Sequence, residues 1–321
     1  KHRRSKGHRM VVFKGVNLAG ADSHYAKWGA AGPVNLTNYM FVSTADVDHY
    51  LSKGANTFRL LFAWEAIQPT PYATLATLSG MYAAYRDRLY SLVEYITGKG
   101  AVCILDIHGG DSSTFAAYKG VKVGGATAAG QKIEDLLANV WRQLADRFKA
   151  NPRVWYGITN EPQGITPAVW FAAAQKVINA IRSTGAKQPI SMPGTAWTGA
   201  GSWVSSGNAA AWNLVDPASN LHAQLHLYCD ADSSGTTTNI VSESVAVDRL
   251  KAAVAWARGS GLKLFLGEVA VSASNPIAGA TWRNLMAYIE ANADVFLGWA
   301  WWGGGPSGSG WANNIYSLVP A

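Results

Sequence analysis

The stretch Val154-Trp155-Tyr156-Gly157-Ile158-Thr159-Asn160-Glu161 is a short apolar run that ends in polar residues. Such a run of apolar and β-prone residues is typical of a parallel strand that is covered on both faces. A second run, Leu264-Phe265-Leu266-Gly267-Glu268, follows about a hundred residues later and also ends in a carboxylate. Only the tertiary fold can bring Glu161 and Glu268 together, and a β/α barrel does so because all its strands end on one face.

Eight such runs occur along the chain, with helical patterns between most of them. Apolar residues recur with helical spacing at 84–97, 133–149, 167–183, 244–258 and 280–291. A strand followed by a helix, repeated eight times, predicts the α/β class and a single (β/α)8 TIM barrel. The predicted strands are 11–16, 56–61, 101–107, 154–158, 189–192, 221–227, 262–266 and 295–300.

The length of 321 residues suits one domain, since a barrel of this type takes about 250 residues or more. We predict a basic N-terminal arm at residues 1–9 and a catalytic domain at 10–321. Six of the 27 basic residues lie before residue 15, no acid precedes Asp22, and the remainder holds 21 basic and 20 acidic residues. Most of the net charge of +7 therefore lies before residue 15, and the rest of the chain is nearly neutral. A solvated arm is favoured over one that binds nucleic acid.

Other classes of site and segment have little support in the sequence. No run of about 18 apolar residues is present, so no membrane span is predicted. Cys103 and Cys229 lie in or beside apolar runs and are interpreted as small buried hydrophobes, with a disulfide between them left open. Neither a C-x-x-C nor an H-E-x-x-H spacing occurs, so neither a metal nor a cofactor is predicted. A monomer is the expectation.

Polar and aromatic residues cluster at the carboxyl ends of the predicted strands, the end where the active sites of such barrels lie. Any one of them alone has an ordinary structural explanation, such as a salt bridge or core packing. Their coincidence at the same end of successive strands favours a functional site. They are Arg59, His108, Asn160, Glu161, His226, Tyr228, Glu268 and Trp302.

Two facing carboxylates are the minimal machinery for cutting a glycosidic bond. One must stay protonated to donate to the leaving oxygen, and the other must be ionised to attack the sugar carbon. An arginine beside the ionised group lowers its pKa by charge attraction, and a tyrosine hydroxyl can donate to it. An asparagine beside the acid can bind the sugar 2-hydroxyl, and tryptophan faces can stack on a pyranose ring.

With these motifs the chain resembles glycoside hydrolase family 5, the cellulase family, over nearly its whole length. The run 230–236 together with 302–306 is similar to the branch that contains fungal and bacterial endo-β-1,4-glucanases. The most specific pieces are Asn56-Thr57-Phe58-Arg59, Asn160-Glu161-Pro162, Pro193-Gly194-Thr195-Ala196-Trp197-Thr198-Gly199-Ala200, His226-Leu227-Tyr228 and Gly267-Glu268.

The resemblance implies a retaining enzyme that cuts internal β-1,4-glucosidic bonds, with Glu161 as acid/base and Glu268 as nucleophile. It implies a polysaccharide or oligosaccharide as the only partner, and a secreted or periplasmic location. Any secretion signal is expected to be absent from this sequence, because no charged and apolar leader begins it. The resemblance further implies Arg59 and Tyr228 at the nucleophile, Asn160, His108 and His226 around the reacting sugar, Trp302 beneath it, and Trp197 and Trp203 in neighbouring subsites.

The chain departs from the family pattern on the glycone side. Gly109, Gly110 and Asp111 follow His108, and the loop 306–310 is rich in Ser and Gly. A more open cleft is therefore expected, which would suit a decorated or mixed-linkage glucan or a glucomannan. The alternatives on the same scaffold are a β-mannanase and a transglycosylase. An inactive carbohydrate-binding barrel is a third alternative, although the presence of both carboxylates argues against it.

Overall fold

The structure, a computed structural model, describes residues 11–22, 31–109 and 115–320. The predicted arm at 1–9 lies outside these residues, as do Gly110 and Asp111 of the predicted open cleft. Among the helices of the described ranges, none combines the length and the apolar character needed to cross a membrane.

Eight parallel strands close into a barrel, which confirms the predicted fold. Each strand pairs with its neighbours in sequence order, and the last pairs with the first. The strands are β1 (Phe13–Leu18), β2 (Thr57–Phe62), β3 (Val102–Ile107), β4 (Val154–Gly157), β5 (Ile190–Pro193), β6 (Leu221–Leu227), β7 (Leu264–Val269) and β8 (Phe296–Gly304).

Helices alternate with these strands on the outside of the barrel. The unit after β5 has only one turn of helix, in line with the weak helical pattern of its sequence. The helices are α1 (Thr44–Ser52), α2 (Gly80–Gly98), α3 (Ile133–Phe148), α4 (Pro167–Arg182), α5 (Asn208–Ala211), α6 (Val245–Gly259) and α7 (Ala278–Ala291). Short turns of helix at Trp64–Ile67, Leu75–Thr77, Ala196–Thr198 and Gly310–Asn313, and a hairpin of Ala117–Tyr118 with Val121–Lys122, complete the described structure.

Local sequence accounts for how these helices begin and pack. The Thr166 side chain accepts a hydrogen bond from the backbone N–H of Val169, and Pro167 occupies the first helical turn, so α4 starts where its cap residues predict. The helix α3 buries one apolar face, which includes Leu137 and Trp141, against the barrel.

The barrel interior is filled at its amino-terminal end. Ile104, Trp155, Phe265 and Ala300 form a separate apolar cluster there. Because this cluster fills the amino-terminal end of the barrel, the active site is expected at the opposite end, where the polar carboxyl ends of the strands lie. Cys103 and Cys229 are both free and buried, so no disulfide joins them.

Candidate active site

Glu268 lies near the end of β7 and has a donor on each carboxylate oxygen. Its Oε1 accepts a hydrogen bond from Arg59 Nη1 at 2.7 Å, and the pair is also a buried ion pair. Its Oε2 accepts a hydrogen bond from the Tyr228 hydroxyl at 2.7 Å. Burial, and then the charge of Glu268, raises the pKa of Tyr228 well above its usual value, so the hydroxyl remains a donor. Two occupied acceptor oxygens are the arrangement that suits a carboxylate anion.

Arg59, on β2, is held from several sides. Its Nη1 also donates to Asn17 Oδ1 at 2.9 Å, and its Nη2 donates to Asn160 Oδ1 at 2.7 Å. The same Nη2 lies 2.9 Å from Asp106 Oδ2. Burial alone would lower the pKa of Arg59, but the charges of Asp106 and Glu268 outweigh burial and raise it. The guanidinium is therefore a fixed positive charge beside Glu268.

Glu161 follows β4 and faces a neutral partner. Its Oε1 lies 2.6 Å from Nδ1 of His226 on β6. Burial, followed by the negative charge of Glu268, raises the pKa of Glu161 well above its usual range. Burial, followed by charge repulsion from Arg59, lowers the pKa of His226 well below its usual value. The ring beside Glu161 is therefore neutral at neutral pH, and Glu161 keeps its proton more readily than an ordinary carboxyl group.

The two carboxyl groups are close together. One oxygen of Glu161, one of Glu268 and a ring nitrogen of His226 all lie within 4.8 Å of one another. Retaining glycosidases hold their carboxyl groups about 5–5.5 Å apart, whereas inverting enzymes separate them by about 6.5–9.5 Å. These three groups could also ligate a cation, but the Arg59 guanidinium already neutralises Glu268 and would repel one. The group therefore fits acid–base chemistry better than metal binding.

Trp302 connects to this network through His108. The indole of Trp302 stacks on the His108 ring with centroids 5.7 Å apart and an angle of 16° between the planes. Nδ1 of His108 in turn lies 3.0 Å from Asp106 Oδ2. The neighbouring Trp299 and Trp301 instead pack edge-on against Trp282 of α7. Of the three tryptophans of β8, Trp302 is the one that joins the site.

Trp197 lies on a strained turn beside Glu161. The backbone φ angles of Ala196, Trp197 and Thr198 are 54°, 55° and 49°, a left-handed conformation that costs a non-glycine residue about 1–2 kcal/mol. The Trp197 N–H donates to the Pro162 carbonyl at 3.3 Å, and the residue is 50% exposed. Strain of this kind is characteristic of functional sites. The turn presents an aromatic ring to solvent directly beside the segment that carries Glu161.

The prediction that Trp203 lines a subsite is wrong. Its side chain is fully buried and packs against Trp212 and Trp256, with ring centroids 6.0 and 5.3 Å away. A Cβ atom at Gly194 would lie 2.6 Å from this ring, so the glycine makes room for the buried indole. Trp203 is a core residue between the barrel and α6, and no sugar can reach it.

Sequence reasoning gave no role to Asn17, Asp106 or Gln224, although Asp106 is one of the polar residues at the end of the third predicted strand. Asn17 Nδ2 donates to the Gly267 carbonyl at 2.8 Å while its Oδ1 accepts from Arg59, so it joins the two strands that carry Arg59 and Glu268. Asn17 and Asp106 could have been found, because each is a polar residue near the end of an apolar run. Gln224 lies in the middle of β6, and only its tertiary contacts identify it.

Comparisons with known proteins agree with this geometry. Residues 12–305 match the family described as Cellulase (glycosyl hydrolase family 5). "Endoglucanase gh5-1" of Neurospora crassa is 33% identical over 313 residues, which are 95% of this chain and 72% of that protein. "Endoglucanase 3" of Humicola insolens is 33% identical over 285 residues, 88% of this chain and 67% of that protein.

Solved structures give the same result. The structure of XacCel5A in complex with cellopentaose is 35% identical and has a TM-score of 0.85, covering 98% of this chain and 95% of that one. Cel5A (EG2) of Hypocrea jecorina is 27% identical with a TM-score of 0.80, covering 97% of this chain and 94% of that one. The sequence match and the barrel with its paired carboxylates place this chain in glycosyl hydrolase family 5, the cellulase family.

Proposed function

We propose that the protein is a retaining glycoside hydrolase that cuts internal β-1,4-glucosidic bonds of a glucan. The observation that carries the proposal is that oxygens of Glu161 and Glu268 lie within 4.8 Å of each other. The two carboxyl groups have different partners, since Glu268 binds Arg59 and Tyr228 whereas Glu161 binds His226. Glu161, whose pKa is raised by burial and by Glu268, acts as the acid/base. Glu268, bound by Arg59 and Tyr228, acts as the nucleophile.

The reaction proceeds in two displacements at the same sugar carbon. First, a Glu268 oxygen attacks that carbon, the bond to the glycosidic oxygen breaks, and Glu161 gives its proton to the departing oxygen. Then Glu161, now ionised, takes a proton from water, and the hydroxide oxygen attacks the carbon and releases Glu268. Two inversions leave the β configuration unchanged.

The neighbouring residues orient the sugar and balance charge. Arg59 and Tyr228 hold the nucleophile with its oxygens in fixed positions. Asn160 accepts from Arg59 through its carbonyl oxygen, which leaves its NH₂ group as the donor to the sugar 2-hydroxyl. His108 and His226 lie around the reacting sugar, and the exposed part of Trp302 is the platform beneath it.

The aromatic surface supports a substrate of several sugars. Trp197 lies beside Glu161, so it contacts the sugar on the leaving-group side of the scissile bond. The relatives are named endoglucanases, and one similar structure holds cellopentaose. An internal cut in a β-1,4-linked glucan is consistent with platforms on both sides of the carboxyl pair.

We further propose that the glycone side accepts a substituted chain. A cavity of about 380 Å³ lies between Pro306, Trp311 and the segment 36–40. This space supports our proposal that a decorated or mixed-linkage β-glucan is cut as well as, or better than, plain cellulose. Measuring kcat/KM on cellopentaose and on a branched oligosaccharide of equal backbone length tests this, and a tenfold preference for the plain chain would refute it.

A polymeric substrate also implies where the protein acts. A glucan chain cannot cross a membrane, so we propose that the protein is secreted or periplasmic. We further propose that it works as a monomer without a cofactor, and that the arm at 1–9 and the barrel domain function independently.

The anomer of the first product tests the mechanism directly. Proton NMR during hydrolysis of cellopentaose should show the β-anomer of the new reducing end before mutarotation. Initial release of the α-anomer would mean an inverting reaction and would overturn the assigned roles.

A further inference from the structure

A chain of buried polar side chains runs behind His226. Ser191 on β5 donates from its hydroxyl to Gln224 Oε1 at 3.0 Å, and Gln224 Nε2 lies 3.1 Å from His226 Nε2. Ser191 and Gln224 are fully buried, and His226 is 3% exposed. The chain ends at Glu161, whose Oε1 lies 2.6 Å from Nδ1 of His226.

The orientation of the Gln224 amide follows from its contacts. Because Nδ1 of His226 faces oxygens of both Glu161 and Glu268, we assign the ring hydrogen to Nδ1, the Gln224 NH₂ group to Nε2 and the Gln224 oxygen to the Ser191 hydroxyl. The strand β7 has no side chain at Gly267, where a Cβ atom would lie 2.6 Å from Gln224 Cδ. The backbone carbonyl of Gln224 accepts from the Thr198 hydroxyl at 2.7 Å, which further fixes this segment of β6.

These contacts determine which nitrogen of His226 bears hydrogen. The ring is neutral, because it is buried and because the positive charge of Arg59 opposes a second positive charge beside it. Nε2 accepts from Gln224, so the single ring hydrogen is on Nδ1. Nδ1 faces Glu161 at 2.6 Å and Glu268 at 3.4 Å, and it can only donate to them.

We propose that Ser191 and Gln224 are positioning residues that hold His226 in the Nδ1–H tautomer. In this tautomer His226 donates to Glu161 Oε1, and the acid proton of Glu161 is carried on the other oxygen, Oε2, where it is available to the leaving group. In the opposite tautomer Nδ1 would accept the Glu161 proton and hold it away from the glycosidic oxygen. This inference rests on the proposed role of Glu161 as general acid.

The test uses Gln224→Met, which keeps the side-chain length and removes the amide. Its matched control is Gln188→Met, because Gln188 is also buried and binds the carbonyls of Phe148 and Asn151 at the opposite end of the barrel. Two substrates are compared: cellopentaose, whose leaving group needs a proton, and 2,4-dinitrophenyl β-cellobioside, whose leaving group does not.

Gln224→Met should lower kcat on cellopentaose about 10- to 100-fold, part of the 10²–10⁴-fold that general acid catalysis supplies. Its kcat/KM on the dinitrophenyl substrate should stay within about twofold of the parent, as should both activities of Gln188→Met. Ser191→Ala, which frees the amide to rotate, should lower kcat on cellopentaose by a smaller factor. Equal losses on both substrates, or no loss, would overturn the proposal.

Nitrogen-15 NMR of histidine-labelled protein provides a readout without turnover. The parent should show His226 with hydrogen on Nδ1, and Gln224→Met should show a mixture of tautomers. Hydrogen on Nε2 in the parent would refute the proposal even if both variants failed to fold. A parent protein with this tautomer but no glycosidase activity would instead refute the proposed function.

Discussion

Glu161 and Glu268 lie side by side but have opposite surroundings. Glu268 is bound by a guanidinium and a phenol, whereas Glu161 is bound by a neutral imidazole whose own pKa is depressed by burial. Glu268 also acts on its neighbour, since its charge raises the pKa of Glu161. The contrast shows how one barrel opening holds an acid and a nucleophile of the same chemical type. A guanidinium binds one carboxyl group directly, whereas at the other carboxyl group burial and the charge of Glu268 outweigh the attraction of Arg59.

Removing either carboxyl group should give the largest effect and should separate the two roles. Glu268→Gln should lower kcat by at least about 10³-fold on every substrate, because no neighbour can form the covalent bond. Glu161→Gln should be comparably slow on cellopentaose but should still release dinitrophenol from an activated cellobioside in a rapid burst. Stopped-flow measurement of that burst decides the assignment.

Azide supplies the control for these variants. Glu268→Gly should be rescued to give the α-glycosyl azide, and Glu161→Gly should give the β-azide, because its covalent intermediate still forms. The reverse pairing of products would show that the two roles are exchanged.

The hydrogen bond from Tyr228 should give the next largest effect. Tyr228→Phe leaves one oxygen of Glu268 without its donor, and a hydrogen bond to a charged group contributes about 1.5–3 kcal/mol, so kcat should fall roughly 10- to 100-fold. Tyr156→Phe is the matched control, because the buried Tyr156 hydroxyl has no hydrogen-bond partner among the described residues. Steady-state kinetics with equal losses in the two variants would argue against a specific role for Tyr228.

Substitution of the exposed tryptophan after β5 should affect activity, whereas substitution of the buried one should affect stability. Trp197→Ala should lower kcat/KM on cellopentaose by up to about tenfold, through lost stacking, with little change in the free energy of unfolding. Trp203→Leu should instead lower the free energy of unfolding by up to about 3 kcal/mol, since it leaves a cavity in the core. Urea titration and kinetics on both variants check this, and a stable Trp203 variant with lost activity would contradict it.

The electrostatic coupling predicts a smaller, directly measurable change. In Glu268→Gln the negative charge that raises the pKa of Glu161 is gone, so that pKa should fall towards its usual value. The parent keeps the Glu161 proton to higher pH and loses it, with activity, as pH rises through the elevated pKa. Carbon-13 NMR titration of labelled glutamates can follow the carboxyl signal. An unchanged pKa would mean that burial alone accounts for the shift.

Deleting the arm should have the smallest effect. A protein that begins at Met10 should hydrolyse a short neutral oligosaccharide with kcat/KM within about twofold of the parent, because the barrel residues assigned to the reaction all lie beyond it. Loss of most kcat/KM in this assay would show that the arm contributes to the site.

The sequence by itself was enough to predict the barrel and most of its active face. Apolar runs such as 154–158 specify buried strands wherever they occur, and the polar residue that ends each run must then lie on one rim. The sequence therefore correctly predicts that Glu161, Glu268, Arg59 and Tyr228 lie together.

Only the tertiary structure decided what each side chain faces. Trp197 and Trp203 belong to the same Gly- and Ser-rich segment, yet a left-handed turn exposes one while the other fills the space beside α6. The pairing of β6 with β7 shifts register between Leu225 and His226, which sets His226 opposite Glu268. Such a shift depends on contacts between strands far apart in sequence, so no local pattern encodes it.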